Sequence, residues 1–282
     1  TQELVFTSAQ NQLKLSAKTL DGYFEARKSE VELLAINPDV RSMEFMKMRP
    51  LLMDAIFLKS EYFEKFIIGR DDGSFHNTAG GNPDQNMLRT SNDKEKDAKP
   101  KSIKKRDYWI NTVEKGQVIL SQDKPPVYIS NPMISFTTEV KQVVVAAPIL
   151  NENGEVHGLI GGALPWDYIN DVMKKIDIET RHTFNNLAKI ALISNDGTYW
   201  YHWDQEKIIQ FARDDNQNYI LNENSEKMTK SVTMNEEFNS NESLFSEKLI
   251  NLTKNEFYKD TNDKDHNHLF LNVGDSGYTI QL

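Results

Sequence analysis

One twelve-residue phrase occurs twice in this chain and limits its possible folds more than any other feature. Residues 65–76 read KFIIGRDDGSFH, and residues 189–200 read KIALISNDGTYW. In each copy an apolar run leads into an Asp-Gly pair, which favours a tight turn, and a short run containing an aromatic residue follows, which is the pattern of a β-hairpin. Two copies that lie far apart predict two similar modules, because a solenoid needs more and shorter repeats.

The residues before the first hairpin are predicted to be helical. A stripe with helical spacing predicts one long helix from about Val5 to Ile36, which Asn37-Pro38 ends. The stripe consists of Leu13, Ala17, Leu20, Phe24, Val31 and Leu34. It fits a core-facing helix or, alternatively, the seam of a homodimer. A second helix is predicted from Met43 to Leu58, with a kink or a new start at Pro50.

Strands dominate the prediction for the remainder of the first module. A polar loop at residues 77–100 precedes a short helix from Tyr108 to Lys115. Strands are predicted at residues 117–121, 127–129, 134–138, 142–149 and 156–162, and Asn153-Gly154 forms the turn between the last two. A helix from Trp166 to Ile176 then leads to the second module.

The second module is predicted to be smaller and more polar than the first. Beyond its hairpin we expect helices at residues 205–211 and 244–252 and strands at residues 256–258, 268–273 and 278–282. The predicted fold class is therefore α+β: a long N-terminal helix followed by two tandem modules, each a mostly antiparallel sheet with flanking helices. The predicted boundaries are a helix at 1–42, a first module at 43–165, a linking helix at 166–184 and a second module at 185–282.

Composition excludes several classes of protein. The net charge of -9 and the pI near 5.3 argue against nucleic acid as a partner, because binding to phosphates needs clustered cations. No apolar run is long enough to span a bilayer, and the chain contains no cysteine. Because the chain begins without methionine, we expect a fragment of a longer protein whose membrane segments lie outside it.

The stretch from Lys104 to Pro148 has the composition of a ligand-pocket wall. Cationic residues stand next to two adjacent aromatic residues, and a tyrosine and two apolar runs follow. The stretch contains no nucleophile-base pair, no metal-ligand spacing and no phosphate loop, so it predicts binding without catalysis, metal or cofactor. The candidate ligand-binding residues are Lys104, Arg106, Tyr108, Trp109, Tyr128, Ser130 and Thr138.

Structural roles compete with these predicted binding roles. Arg106 could instead form an ion pair with Asp107 or Asp123, and a lysine run is usually a solvated surface. Tyr108 and Trp109 are neighbours in the sequence and cannot point the same way, so we expect one of them to belong to the core. The acidic, histidine-containing run at residues 260–268 lacks the glycine and glutamate of a calcium loop, and a polar turn explains it better.

The order of these elements and motifs resembles the double Cache family of PAS-like sensor domains. The resemblance covers nearly the whole chain and implies an extracytoplasmic, periplasmic domain between two transmembrane helices. It also implies a small-molecule ligand in a membrane-distal first module. The output domain would be a histidine kinase, a diguanylate cyclase or a chemoreceptor domain.

An amino-acid-binding subset of that family carries a motif that this chain matches only in part. Arg106 and Tyr128 match, and Tyr108-Trp109 has the reverse order of the family's Trp-Tyr. The resemblance implies that the family's two Asp residues hold the ligand ammonium and that its Arg holds the carboxylate, but Ser130 and Ala163 stand in place of the Asp residues. Because an unpaired buried ammonium is costly, we expect a small anionic or neutral ligand rather than an α-amino acid.

The sequence thus predicts a periplasmic small-molecule sensing domain of a transmembrane signalling protein that is not itself an enzyme. Its predicted partners are a small molecule, transmembrane helices outside the chain, and a second copy bound through the N-terminal helix. Two alternatives stay open: a soluble hydrolase that uses carboxylate catalysis, and a protein-interaction ectodomain without a ligand.

Overall fold

A computed structural model describes residues 2–78, 102–116, 127–135, 137–194, 196–223, 227–237, 257–260, 268–273 and 278–281. Helices and antiparallel sheets form two compact units, so the predicted α+β class is confirmed. The central unit is Glu25–Tyr168, and the flanking unit consists of Thr1–Phe24 and Ile169–Leu282. The first helix is divided between them, and the four boundaries proposed from the sequence stay predictions.

The first helix, α1, runs from Gln2 to Ala35, as its apolar stripe predicts. Leu13, Leu20 and Phe24 are buried, whereas at the end of the stripe Ala35 takes the buried position and Leu34 is only half-buried. The Asn37 side chain accepts a hydrogen bond from the Asp39 N–H at 2.9 Å and caps a short second helix, α2, at Pro38–Arg41.

The third helix, α3, is one element from Phe45 to Leu58 that follows Met43, a residue with a positive φ of 54°. Pro50 lies inside α3, so the expectation that a new helix starts there is wrong. Met48 and Leu52 bury one face of α3. None of the helices in the described part of the chain is long and apolar enough to cross a membrane.

The sheet of the central unit has six antiparallel strands in the order β2-β1-β6-β5-β3, with β4 also paired to β5. The strands are β1 Lys65–Arg70, β2 Phe75–Asn77, β3 Tyr128–Ile129, β4 Met133–Ile134, β5 Lys141–Leu150 and β6 Val156–Pro165. The long β5–β6 hairpin turns at Gly154, where φ is +80°. The Asn153-Gly154 pair predicts this turn correctly.

Two details of the first-module prediction change. The short helix begins at Asp107, as α4 (Asp107–Trp109), and continues as a π-helical turn at Ile110–Glu114. The strand predicted at residues 134–138 ends at Ile134, because the Ser135 hydroxyl accepts the N–H groups of Thr137 and Thr138 and holds them in a turn. The strand predicted at residues 117–121 and the loop beyond Thr78 lie outside the described residues.

The flanking unit receives helix α5, Trp166–Thr183, and has a five-stranded antiparallel sheet in the order β11-β12-β13-β7-β8. Its strands are β7 Ala191–Ser194, β8 Tyr199–Tyr201, β11 Phe257–Asp260, β12 His268–Val273 and β13 Tyr278–Gln281, while β9 Gln210–Phe211 and β10 Thr229–Lys230 pair separately. A short helix, α6, covers Met234–Glu237. The predicted helix at 205–211 is instead a 3-10 turn at Gln205–Lys207 followed by β9, and the one at 244–252 lies outside the described residues.

The two hairpins of the repeated phrase have the same local structure. Gly73 and Gly197 both have positive φ, +81° and +84°, and the side chains of Asp72 and Asp196 accept the N–H groups of Ser74 and Thr198 at 2.8 Å and 2.9 Å. In each sheet, the first strand of the hairpin also pairs with the last strand of its module. The predicted internal repeat is therefore confirmed at the level of strand order.

The two faces of the central sheet have different coverings. On one face Gly162 leaves room for Phe63 and for Val31 of α1: a Cβ on Gly162 would lie 2.7 Å from Phe63 Cδ1 and 3.0 Å from Val31 Cγ2. The opposite face, which we call the inner face, carries Ile67 and Val144 and packs against α4. Alternation along each strand assigns every side chain to one of these faces.

Gly162→Ala should destabilise the protein by about 1–3 kcal/mol, because the new methyl group overlaps side chains in a closely packed layer. Gly22→Ala is the matched control: a Cβ there meets nothing within 4 Å, and alanine favours the helix by up to about 1 kcal/mol. Urea denaturation measures both changes. Equal stability of Gly162→Ala and the wild type would contradict the packing.

Candidate functional site

The inner face of the central sheet holds a narrow cleft with about 270 Å³ of space that atoms do not fill, including its open mouth. The enclosed part of that space is about 20 Å³, the room that about one water molecule needs, and the rest includes the open mouth. Side chains from β1, β2, β4, β5 and the segment before α4 line it. They are Lys65, Ile67, Phe75, Asn77, Ile103, Arg106, Tyr108, Met133, Ser135, Thr137 and Gln142.

Lys65 opens β1 and is the most unusual residue of the cleft. Its side chain is 1% exposed, and its Nζ donates to Ser135 Oγ at 2.9 Å, Thr138 Oγ1 at 3.1 Å and Glu64 Oε1 at 3.3 Å. An ammonium group has three donors, so these contacts satisfy it. A buried charge of this kind is tolerated only when it is paired and hydrogen-bonded.

Burial lowers the pKa of Lys65 below its usual 10.5, and the nearby Glu64 carboxylate opposes that shift. Sequence reasoning did not include Lys65 among the site residues. The signal available in the sequence was a charged residue at the start of an apolar strand, KFIIG. The structure adds that Lys65 pairs with Ala163, which is fully buried.

Arg106 supplies the second cation of the cleft. It stands just before α4 with extended backbone angles, and its Nη2 donates to the Ile134 carbonyl at 3.1 Å. This bond attaches the guanidinium to β4, next to Met133, which pairs with Gln142 in the ladder. A guanidinium carries five N–H donors in a planar fork, which is the geometry that suits a carboxylate.

Asp107 is a hydrogen-bonding centre next to Arg106, and the sequence did not predict this structural role. Its carboxylate accepts hydrogen bonds from the Asn131 N–H at 2.7 Å, the Tyr108 N–H at 2.8 Å and the Tyr128 hydroxyl at 3.4 Å. Burial raises the pKa of Asp107, and the hydrogen bonds partly oppose that rise. The predicted site residue Tyr128 thus uses its hydroxyl to bind another side chain.

The adjacent aromatic residues Tyr108 and Trp109 are both buried, but only Tyr108 lines the cleft. Burial raises the pKa of Tyr108 far above its ordinary value, so its hydroxyl keeps its proton at neutral pH. The Trp109 indole donates to the Arg70 carbonyl at 3.3 Å and packs into the core. The expectation that one of this pair belongs to the core agrees with this arrangement.

The remaining candidates lie around the cleft without lining it. The Ser130 hydroxyl is fully buried, donates to the Asn131 carbonyl and accepts the Val144 N–H at 2.8 Å, so it extends the ladder of β5. Thr138 binds Lys65, and the exposed Lys104 lies 5.7 Å from the Trp109 ring centroid. Ligand roles for these residues, and for Tyr128, stay predictions.

Aromatic residues of one strand are buried in the flanking unit. Tyr199, Trp200 and Tyr201 form β8 and are all buried, and Trp200 packs edge-on against Phe24 at 5.7 Å. Within the described ranges, no group of three or more His, Asp or Glu residues could hold a metal ion. Residues 261–267 of the acidic run lie outside those ranges.

The fold is that of the ligand-binding domains of bacterial chemoreceptors, and the predicted double Cache resemblance is confirmed at the level of the fold. The domain of Pseudomonas fluorescens CtaA in complex with L-serine matches with a TM-score of 0.59 and 13% identity over 100% of this chain and 97% of that one. The domain of Campylobacter jejuni Tlp3 in complex with L-valine matches with a TM-score of 0.56 and 13% identity over 99% and 92%.

The domain of the Pseudomonas aeruginosa amino acid chemoreceptor PctB in complex with L-Arg gives a TM-score of 0.57 and 14% identity over 99% of this chain and 94% of that one. No family model and no curated protein sequence matches the chain. The likeness therefore concerns the backbone, and the cleft has to be interpreted from its own side chains.

The buried Lys65 should make stability depend on pH. Below its lowered folded-state pKa both states are protonated and the cost of burying the charge is fully present. Between that pKa and 10.5 the unfolded chain binds more protons, so stability rises with pH. We expect the free energy of unfolding of the wild type, minus that of Lys65→Met, to increase over this range in urea titrations. A constant or falling difference would contradict a buried lysine.

Proposed function

We propose that this chain is the extracytoplasmic, periplasmic sensing domain of a transmembrane signalling protein, and that its cleft binds a small anionic ligand such as a carboxylate without an amine. The observation that carries the proposal is the charge of the cleft. Lys65 and Arg106 line it, and none of its described lining residues is acidic. The shared fold with chemoreceptor ligand-binding domains supports the sensing role.

Electrostatics favour an anion in this cleft. Two cations at the edge of a low-dielectric core attract a carboxylate more strongly than they would in water. Glu64 offsets part of the Lys65 charge, but it does not line the cleft, so an anion would meet the cations first. Lys65 has three intramolecular partners, and its contribution is therefore the field rather than a direct bond.

The same arrangement opposes an α-amino acid. A bound ammonium would lie among Lys65 and Arg106 without a lining carboxylate to pair with, and burying an unpaired charge is costly. The solved structures of CtaA, Tlp3 and PctB contain amino acids. We propose that this chain uses their backbone arrangement for a different chemical class.

In this proposal Arg106 holds the carboxylate, and Tyr108 provides an apolar wall with a protonated hydroxyl. Both were candidates from the sequence, and Lys65, Ser135 and Gln142 are added to them. Binding transmits a signal only if the ligand has different affinities for two arrangements of the domain. Flanking transmembrane helices, an output domain and dimerisation through α1 belong to the same proposal and stay predictions.

Calorimetric titration of propionate and L-alanine tests the ligand class, because the two differ by one ammonium group. We expect propionate to bind and L-alanine to bind at least about tenfold more weakly. Arg106→Ala should weaken propionate binding by about tenfold or more, since the carboxylate loses its charge-assisted hydrogen bonds.

Lys115→Ala is the matched control, because it removes an exposed charge from the end of the same helical segment and should change the affinity by no more than about twofold. Tighter binding of L-alanine than of propionate would contradict the proposed ligand class. Equal losses in Arg106→Ala and Lys115→Ala would show that Arg106 acts only through the general charge of the surface.

A further inference from the structure

A second cavity of the central unit, which we call the groove, encloses far more space than the cleft. Its enclosed part is about 290 Å³, and about 760 Å³ is free of atoms when the open mouth is included, whereas the cleft encloses about 20 Å³. The enclosed volume is close to the lower end of the range for small-molecule sites, ~300–1,000 Å³. The end of α1, α2 and the β5–β6 hairpin surround the groove.

Two alanines that line the groove leave its space open. Val31 of α1 packs beside Gly162, whose ladder partner on β5 is Val145. One helical turn after Val31 the same face of α1 carries Ala35, and two positions after Val145 the same face of β5 carries Ala147. Both alanines are buried and line the groove, which therefore lies on the face of the sheet opposite the cleft.

Arg41 fixes one wall of the groove at the end of the hairpin. Its Nε donates to the Leu150 carbonyl and its Nη2 to the Asn151 carbonyl, both at 3.0 Å. These bonds attach α2 to the end of β5, and all three residues line the groove. The wall is thus held by specific bonds between two elements of the fold.

Apolar side chains form most of the described lining of the groove. Besides the two alanines and Leu150, they are Ile36, Val127 and Pro148. Ile36 is 63% exposed, so a hydrophobic molecule that covers it removes hydrocarbon surface from water on both partners. The space is concave and of limited volume, which suits a small molecule better than a protein surface.

The charges of the groove oppose an anionic ligand. Its described lining contains two carboxylates, Glu32 and Glu152, and one cation, Arg41, whose Nε and Nη2 bind carbonyl oxygens. A ligand carboxylate would lose water beside two negative side chains, which is costly. In the cleft, by contrast, both charged residues of the described lining are cations.

We propose that the groove is a second ligand site, which takes a small hydrophobic molecule without negative charge. Glu32 and Ala35 of α1 line the groove, whereas none of the described lining residues of the cleft belongs to α1. A molecule in the groove therefore contacts α1 directly. The site is independent of the carboxylate proposed for the cleft.

NMR titration of the protein with cyclohexanol tests the site, because backbone amide shifts report where a weak ligand binds. We expect the largest shifts at Ala35, Ile36 and Ala147 and a dissociation constant on the order of 1 mM. Cyclohexanecarboxylate has the same ring and a negative charge. At these amides its dissociation constant should be at least about fivefold higher.

Ala35→Leu fills existing space with hydrocarbon, so it should raise the dissociation constant of cyclohexanol by at least about tenfold without loss of stability. Ala26→Leu is the matched control, since it makes the same change at an exposed position of α1 and should alter the affinity by no more than about twofold. If Ala35→Leu folds poorly, Ile36→Ser at the exposed rim gives a second test and should raise the dissociation constant about threefold.

The proposal is overturned if cyclohexanol at about twenty times the expected dissociation constant leaves the groove amides unshifted. Unchanged affinity in Ala35→Leu or in Ile36→Ser would likewise place the binding elsewhere. Equal affinity for cyclohexanol and cyclohexanecarboxylate at these amides would overturn the ligand class. Arg106→Ala should not alter cyclohexanol binding, so the result leaves the proposed carboxylate site untouched.

Discussion

The central unit depends on the β5–β6 hairpin, a pair of ten-residue strands that is buried on both faces. Because every side chain in its middle faces a packed layer, its residues have to be small or apolar, and Gly162 is required where Phe63 and α1 approach. Three other strands of the sheet attach to this pair: β1 pairs with β6, and β3 and β4 pair with β5, while β2 pairs with β1. The register of these pairings places Lys65, Gln142 and Val144 on one face. The buried hairpin therefore forms part of the wall of the cleft.

Burying the polar groups of that cleft costs free energy unless each of them has hydrogen-bond partners. Lys65 is tolerated because three oxygen acceptors surround its ammonium, and its charge then acts on the space beside it. Asp107 is likewise satisfied by hydrogen bonds from Asn131, Tyr108 and Tyr128, so its negative charge is used within the wall. The result is a cleft whose positive groups face inward while the nearby carboxylates are occupied elsewhere.

The repeated hairpin shows how one local structure acquires two environments. The turns at Gly73 and Gly197 are nearly identical, and both hairpins occupy the same place in their sheets. The equivalent lysines differ: Lys65 is buried in the cleft, whereas Lys189 is exposed and lies 5.1 Å from the Trp203 ring centroid. The similarity of the two phrases therefore predicts the backbone correctly and gives no indication of which lysine borders a site.

Local patterns in the sequence predicted helices α1, α3 and α5, both hairpins, the Asn153-Gly154 turn and the α+β class, because these depend on periodicity and on turn residues that are neighbours in the chain. The helix predicted at residues 205–211 is wrong. The same patterns identified Arg106 and Tyr108, which line the cleft. They could not identify Lys65, Gln142 or the role of Asp107, since each acquires its environment from residues on other strands. Tertiary structure alone decided which polar groups are buried together, because burial and hydrogen bonding are set by strand register and packing across the sheet.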